Sequence, residues 1–187
     1  GIDDLSRPKP GVRLVPAILA ELAAAGVPAS EVLILAGVAN HRPMVREDLE
    51  KKLGQAVLDR CAVINHFSWD GCVPIGETSF GSPVEINADF MAADLKILVG
   101  SIIPHGAAGL SGGSKLLMPG IASIASAEAY HRGTCQKGRY AVTDTEARLE
   151  ADAAARHPGV AFISNPIPNS RLGTAGPVTG AGLAARR

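Results

Sequence analysis

Residues capable of chemistry are concentrated in one short segment, Pro104-His105-Gly106-Ala107-Ala108-Gly109-Leu110-Ser111-Gly112-Gly113-Ser114-Lys115. It follows an apolar run over residues 95–103, which predicts a buried strand, and it precedes a segment that can form helix. With Ser111 as N-cap, the backbone N–H groups of Gly112 and Gly113 could hold an anion at the start of that helix. Lys115 would then lie on the first turn, facing the ligand. The pattern favours a site for a phosphate-bearing ligand.

This segment is not a Walker P-loop. That motif needs a glycine, four residues and then Gly-Lys-Ser/Thr, whereas here Ser114 precedes the lysine and Leu116 follows it. No hydroxyl therefore follows Lys115 to hold magnesium. Taken in isolation, the segment is equally compatible with an ordinary turn between strand and helix that carries a solvated lysine.

Two histidines, His41 and His105, are candidates for acid/base catalysis. A facing pair of neutral imidazoles can accept a proton on one side and donate one on the other near neutral pH. That symmetry suits racemisation or epimerisation. Arg7 could hold a carboxylate by a two-point contact, and Asp4 could orient a histidine or a ligand hydroxyl.

His131 and Cys135 are four residues apart, so on a helix they would share a face and form half of a metal site. Chance spacing is the better explanation for the cysteine, and a histidine on an alanine-rich helix is more often structural. The other cysteines are Cys61 and Cys72. An odd number without a Cys-x-x-Cys motif indicates reduced thiols in a cytoplasmic protein.

Apolar runs of strand length alternate with helical patterns, which predicts an α/β fold with a largely parallel sheet flanked by helices, a Rossmann-like three-layer arrangement. Five residues follow predicted strands and should converge at one edge of that sheet: Asp4, Arg7, His41, His66 and His105.

The main predicted strands cover 32–36, 61–64, 95–100 and 160–163. The main predicted helices cover 12–25, 46–53, 121–131 and 143–156, the last capped by Thr143 or Asp144. After Pro166 the chain is predicted to be irregular.

Composition limits the function further. The chain has 187 residues, 47% of them apolar, which is enough for one domain with a substantial core. The formal net charge is zero and basic residues form no long run, so nucleic-acid binding is not expected. No apolar run approaches the roughly 20 residues that span a bilayer, so no membrane association is expected either.

Several motifs occur together in an order that resembles the N-terminal domain of the nickel-dependent lactate racemase family. They are Asp-Asp-Leu-Ser-Arg-Pro-Lys-Pro at 3–10, Asn-His-Arg-Pro-Met at 40–44, Val-Ile-Asn-His at 63–66, Gly-Glu-Thr-Ser-Phe-Gly-Ser-Pro-Val at 76–84, the segment at 104–115, Pro-Gly-Ile-Ala at 119–122, and His131. The resemblance covers nearly the whole chain. Each motif alone is weak, and together they are specific.

The resemblance implies a nickel-pincer nucleotide, a pyridinium mononucleotide whose thiocarboxylate arms hold nickel, covalently linked to Lys115. His131 would complete the nickel coordination, and His41 and His105 would be the catalytic pair. Asp4, Leu5, Ser6 and Arg7 would contact the cofactor or the substrate. Residues that the pattern places around an anion, Ser111, Gly112 and Gly113, would contact the nucleotide.

The implied activity is racemisation of a small 2-hydroxy acid similar to lactate. One histidine deprotonates the 2-hydroxyl while hydride leaves carbon 2, a planar 2-keto acid forms, and hydride returns to either face. The implied partners are the C-terminal domain of the same protein and the enzymes that mature the cofactor. We expect residues 1–187 to be the cofactor-bearing domain without the first strand region and the C-terminal domain, and to be inactive alone.

Two departures from the family pattern leave the substrate open. The family often has an aromatic-Ala-Gly-aromatic run where this chain has Ala107-Ala108-Gly109-Leu110, and a basic residue commonly stands at the position of Ser114. Two other functions are compatible with the sequence. One is a domain that binds a nucleotide or metal without turnover, and the other is a hydro-lyase of hydroxy acids that uses a plain metal.

Overall fold

The computed structural model describes residues 1–8, 11–134, 139–169 and 174–181. Its strands are β1 (Ile2–Asp3), β2 (Leu33–Gly37), β3 (Ala62–Asn65), β4 (Cys72–Glu77), β5 (Pro83–Asn87), β6 (Ile97–Val99), β7 (Pro104–His105), β8 (Gly109–Leu110), β9 (Phe162–Pro168) and β10 (Thr174–Ala181). Its helices are α1 (Gly11–Ala24), α2 (Arg46–Leu53), α3 (Gln55–Leu58), α4 (Ala88–Ala92), α5 (Ile124–Thr134) and α6 (Glu146–Ala154), with 3₁₀ turns at Ala29–Glu31 and Gly113–Leu116.

Six strands form one sheet in the order β10-β9-β6-β1-β2-β3. Neighbours from β9 to β3 pair in parallel, and β10 lies antiparallel to β9 at the edge. In this register Ile2 lies opposite Ala36 on one side and Val99 on the other. The carboxyl ends of β1, β2 and β6 therefore lie side by side, and this is the edge where parallel sheets bind ligands.

Side chains of the central strands alternate between two buried clusters, one on each face of the sheet. In β2, Ile34 and Ala36 join a cluster with α1 and α2, whereas Leu35 joins the cluster on the opposite face. In β6, Leu98 and Val99 divide in the same way. Helices thus cover both faces, which confirms the predicted three-layer α/β fold with a mostly parallel sheet.

Two short antiparallel ribbons lie outside the main sheet. The segment at 71–83 contributes β4, which pairs with β5. The second ribbon, β7 with β8, lies within the glycine-rich segment, and Pro104 and His105 pair there with Leu110 and Gly109. This pairing fixes the backbone position of His105.

Three sequence predictions about elements need correction. The strand expected over 95–100 is confined to Ile97–Val99, because Leu95 is exposed rather than part of the ladder. The last long helix is capped by Thr145, whose side chain accepts a hydrogen bond from the Arg148 N–H, and not by Thr143 or Asp144. The segment after Pro166 is not wholly irregular.

That segment contains β10, whose glycine- and proline-rich sequence hid the strand. A proline such as Pro177 is tolerated there because β10 is an edge strand of the sheet. Across the described part of the chain, no helix is long and apolar enough to cross a membrane.

Candidate active site

A cavity of about 280 Å³ lies at the carboxyl edge of the sheet, where the predicted site residues were expected to converge. It is lined by nine of the eleven residues to which the family resemblance assigns a catalytic, cofactor-binding or metal-binding role: Asp4, Ser6, Arg7, His41, His105, Ser111, Gly112, Lys115 and His131. They come from the loops after β1 and β2, from the glycine-rich segment and from α5. The topology, rather than proximity along the chain, brings them together.

Asp4 and His41 form a hydrogen-bonded pair. The Asp4 Oδ2 atom lies 2.5 Å from His41 Nδ1, and the other carboxylate oxygen accepts from the Ser6 N–H at 3.0 Å and from the Ser6 hydroxyl. Burial acts to raise the pKa of Asp4, but the hydrogen bonds from Ser6 and His41 outweigh it, so the pKa is lowered. A carboxylate at Nδ1 assigns the proton to that nitrogen and leaves the Nε2 lone pair of neutral His41 to act as a base.

In His105 the two ring nitrogens have the reverse roles of those in His41. Its Nδ1 atom accepts hydrogen bonds from the N–H groups of Ala107 and Ala108, each at 3.2 Å, which places the proton of the neutral ring on Nε2. Burial lowers the pKa of His105 to about 4, and the positive charges of Lys115, Arg7 and His131 act in the same direction. His105 is therefore a neutral hydrogen-bond donor at ordinary pH.

Lys115 and His131 are brought together by α5. Tyr130, which is fully buried, accepts a hydrogen bond from Lys115 Nζ at 3.4 Å, and the ammonium lies 5.2 Å from the centre of its ring. The next residue, His131, packs its ring edge-on against Tyr130 and donates from Nδ1 to the Ala127 carbonyl at 2.6 Å. In the neutral ring that bond places the proton on Nδ1, so the Nε2 lone pair is the one that could bind a metal.

The glycine-rich loop is held differently from the predicted anion loop. Ser111 is not a helix N-cap, because its hydroxyl donates to the Ser101 carbonyl at 2.5 Å and the Ile103 N–H donates to it. The turn that follows is a short 3₁₀ helix with Gly112 at its N-cap position. The Gly113 N–H is bound to Asn165 Oδ1 at 3.0 Å, so it is not available to an anion.

Gly112 is required for this loop conformation. Its φ of +73° lies in the left-handed region, and a Cβ atom there would lie 2.9 Å from Asn165 Oδ1 and 3.0 Å from the Ser101 carbonyl oxygen. The backbone of the loop consequently packs directly against Ser101, just after β6, and against Asn165 within β9. This close packing determines where Lys115 enters the cavity.

Three other predicted residues lie elsewhere. Leu5 packs against the core cluster that contains α1, and Gly113 does not line the cavity. His66 was expected at the same sheet edge, but its ring is buried, lies 2.8 Å from the Ala122 carbonyl through Nε2, and does not reach the cavity. Burial lowers its pKa, so it is a neutral core histidine. Cys135, the possible metal partner of His131, lies outside the described residues.

Sequence patterns missed several residues that shape the site. Asp3 and Asn40 also line the cavity, and Arg148 and Asp152 of α6 hold the glycine-rich loop. The Arg148 guanidinium donates to the Gly112 carbonyl at 3.1 Å, and Ser114 donates to Asp152. The motifs at 3–10 and 40–44 contain Asp3 and Asn40, whereas helix periodicity does not show that Arg148 and Asp152 contact the glycine-rich loop.

Comparison with known proteins assigns the family. The family model of the lactate racemase N-terminal domain matches residues 2–142. The lactate racemase of Lactiplantibacillus plantarum is 36% identical over 132 residues, which are 70% of this chain and 31% of that protein. The lactate racemase of Thermoanaerobacterium thermosaccharolyticum is 31% identical over 173 residues, which are 89% of this chain and 40% of that protein.

Solved structures agree with this assignment. The lactate racemase apoprotein from Thermoanaerobacterium thermosaccharolyticum superimposes with a TM-score of 0.86 at 27% identity, covering 97% of this chain and 45% of that one. A Thermotoga maritima protein solved by structural genomics shares the fold, with a TM-score of 0.79 at 20% identity over 98% of this chain and 50% of that one. The chain thus spans less than half the length of the curated relatives it matches. Since the family model covers most of the chain, this protein belongs to the family of the lactate racemase N-terminal domain.

Proposed function

We propose that this chain is the cofactor-bearing N-terminal domain of an enzyme that interconverts the enantiomers of a small 2-hydroxy acid. The observation that carries the proposal is that six chemically suited residues line one cavity. They are the hydrogen-bonded pair Asp4 and His41, together with Arg7, His105, Lys115 and His131. Family membership supports the same reaction class, because the curated relatives are lactate racemases.

The residues present fit the nickel-pincer nucleotide implied by the family resemblance. Lys115 offers an amine for covalent attachment, and His131 offers an imidazole nitrogen whose tautomer is fixed by the Ala127 carbonyl. Among the described residues, no group of three or more His, Cys, Asp or Glu side chains is arranged to hold a metal ion. When bound, such a nucleotide would accept the hydride from carbon 2 of the substrate and return it.

The chain's own residues would move the proton and hold the substrate. His41, with Nδ1 bound to Asp4, can take the 2-hydroxyl proton on Nε2 while the carboxylate stabilises the imidazolium. His105 can donate a hydrogen bond from Nε2 to the substrate oxygen. Arg7 lines the same cavity and suits a carboxylate, since a guanidinium offers two parallel donors.

The site would be completed by a second domain. The chain spans only 31% and 40% of the two curated relatives, so the remaining parts of such an enzyme would supply further substrate contacts and exclude water. We further propose that dedicated maturation enzymes install the nucleotide on Lys115. Residues 1–187 alone would then fail to turn over a 2-hydroxy acid.

Isotope tracing in the full-length protein tests the proposed reaction. Lactate of one configuration, deuterated at carbon 2, should become a mixture of both enantiomers with the deuterium retained, because hydride transfer does not exchange that atom with water. His41→Gln and His105→Gln should each lower the rate by about 10²-fold or more. Loss of deuterium to solvent, or formation of a dehydrated product, would contradict the proposal, and the second result would favour a hydro-lyase.

A further inference from the structure

Lys52 is a buried lysine that contacts the loop bearing Asp4 and Arg7, although it belongs to a different element. It lies on α2 and is only 1% exposed. Its ammonium lies 2.5 Å from Asp3 Oδ1 and donates to the Asp4 carbonyl at 2.7 Å and to the Pro8 carbonyl at 3.0 Å. The contacts thus bridge Asp4 and Pro8 in the loop that follows β1.

These contacts use the full capacity of the side chain. An ammonium has three N–H donors, and Lys52 has three acceptors around it. A lysine this deeply buried is costly unless its charge is paired and hydrogen-bonded, and the Asp3 carboxylate provides that pair. The inward orientation of the Lys52 side chain is therefore stabilised by these three specific contacts.

The position of this ammonium bears directly on the site. The Asp4 carbonyl also accepts from the Arg7 N–H at 3.3 Å, so one oxygen joins Lys52 to the turn that presents Arg7. The side chain of the same Asp4 holds His41 and Ser6. Pairing Asp3 with Lys52 also leaves the Asp4 carboxylate to interact with His41. Lys52 thus reaches His41 through one intermediate residue.

We propose that Lys52 is a positioning residue for the site: its buried ammonium fixes the loop of residues 4–8 and, through Asp4, sets the tautomer and orientation of His41. The expected effect of Lys52 on turnover rests on the proposed function. The effect on His41 is a property of the chain itself and can be measured without substrate or cofactor.

Two variants of the full-length protein separate positioning from folding. Lys52→Met keeps the apolar stem but leaves Asp3 buried without its partner, so it can destabilise the fold. The double variant Asp3→Asn/Lys52→Met removes both charges together, a change that is often close to neutral for stability. Lys51→Met is the matched control, because Lys51 is the preceding residue on α2 and is exposed.

The direct readout is the tautomer of His41, taken from its ¹⁵N chemical shifts at a pH where the ring is neutral and assigned by comparison with His41→Gln. In the wild type and in Lys51→Met, Nδ1 should be protonated. In the folded double variant, the signal should change to a mixture of both tautomers. The kcat for lactate racemisation should fall by about 10²-fold in the double variant, because small displacements of catalytic groups have effects of that size.

The outcomes distinguish the two proposals. If the double variant keeps the wild-type tautomer and kcat, the role of Lys52 is overturned while the proposed reaction stands. A double variant that does not fold also overturns it, since Lys52 would then support the whole domain rather than the loop. If the wild type does not racemise lactate but the tautomer still changes in the double variant, the proposed function fails and the positioning role is supported.

Discussion

Asp4 Oδ2 and His41 Nδ1 lie 2.5 Å apart, although 37 residues separate them in the sequence. The contact is a consequence of the sheet. Strands β1 and β2 are parallel neighbours with Asp3 opposite Gly37, so the loops that follow them start side by side. Any reaction at this edge would therefore use His41 in the tautomer that Asp4 sets.

Replacing Asp4 by asparagine should separate its chemical role from its shape. In Asp4→Asn the new side chain can turn its amide toward His41 and favour the wrong tautomer, so kcat for racemisation should fall by about 10²–10⁴-fold. The exposed Asp94, which precedes β6 and so lies at the opposite edge of the sheet from the cavity, offers a control, Asp94→Asn, that should retain full activity. Wild-type kcat in Asp4→Asn would contradict the role of Asp4 in setting the tautomer of His41.

His105 should make the protein less stable in acid. Its folded-state pKa of about 4 lies below the value of about 6.5 for a free imidazole. Between these pH values the unfolded chain binds more protons than the folded one, so the free energy of unfolding falls as the pH is lowered and the loss levels off below about pH 4. The contribution is absent above the unfolded-state pKa.

Denaturant unfolding at pH 7 and near pH 4, a range set by the same imidazole pKa values, measures this effect. In His105→Asn the group no longer titrates, and the amide oxygen can still accept from the Ala107 and Ala108 N–H groups. The variant should therefore lose less stability than the wild type over that range. Equal losses in the two proteins would show that His105 is not held neutral by its surroundings.

Arg148 should stabilise the glycine-rich loop from outside the cavity. Arg148→Met removes one of the two donors to the Gly112 carbonyl, leaving only the Lys115 N–H at 3.3 Å, and it removes the cation beside Asp152. The free energy of unfolding should fall by about 1–3 kcal/mol, and hydrogen exchange should accelerate at residues 110–115. Arg156→Met, in an exposed arginine just beyond the same helix, should change neither quantity. Unchanged exchange in the loop would contradict the role given to Arg148.

Much of the fold was predictable because apolar runs and helical patterns alternate along the chain. The convergence of Asp4, Arg7, His41 and His105 was predictable for the same reason, since the ends of parallel strands meet at one edge. The pattern could not show that the ring of His66 turns into the core toward the Ala122 carbonyl. A histidine at the end of a strand can either line the cavity or pack into the core, and tertiary contacts determine which of the two occurs.

The buried polar contacts were not predictable. Lys52 belongs to a helix with the composition of a solvated surface, and only the fold reveals that its ammonium ends beside Asp3. The sequence predicted that the Gly113 N–H could bind an anion, but this N–H donates to the side chain of Asn165 in β9. Strand β10 was hidden by its glycine and proline content, because its pairing with β9 depends on an edge position that composition does not encode.

Intact-protein mass spectrometry with metal analysis, applied to the full-length protein purified from its native host, tests the central claim most directly. We expect an added mass of nucleotide size localised to Lys115, with nickel close to one atom per chain. In Lys115→Arg the adduct should disappear, and in His131→Gln the nickel content should fall while the adduct remains. An unmodified Lys115 without nickel, from a host that contains the maturation enzymes, would contradict the proposed cofactor and with it the hydride-transfer mechanism.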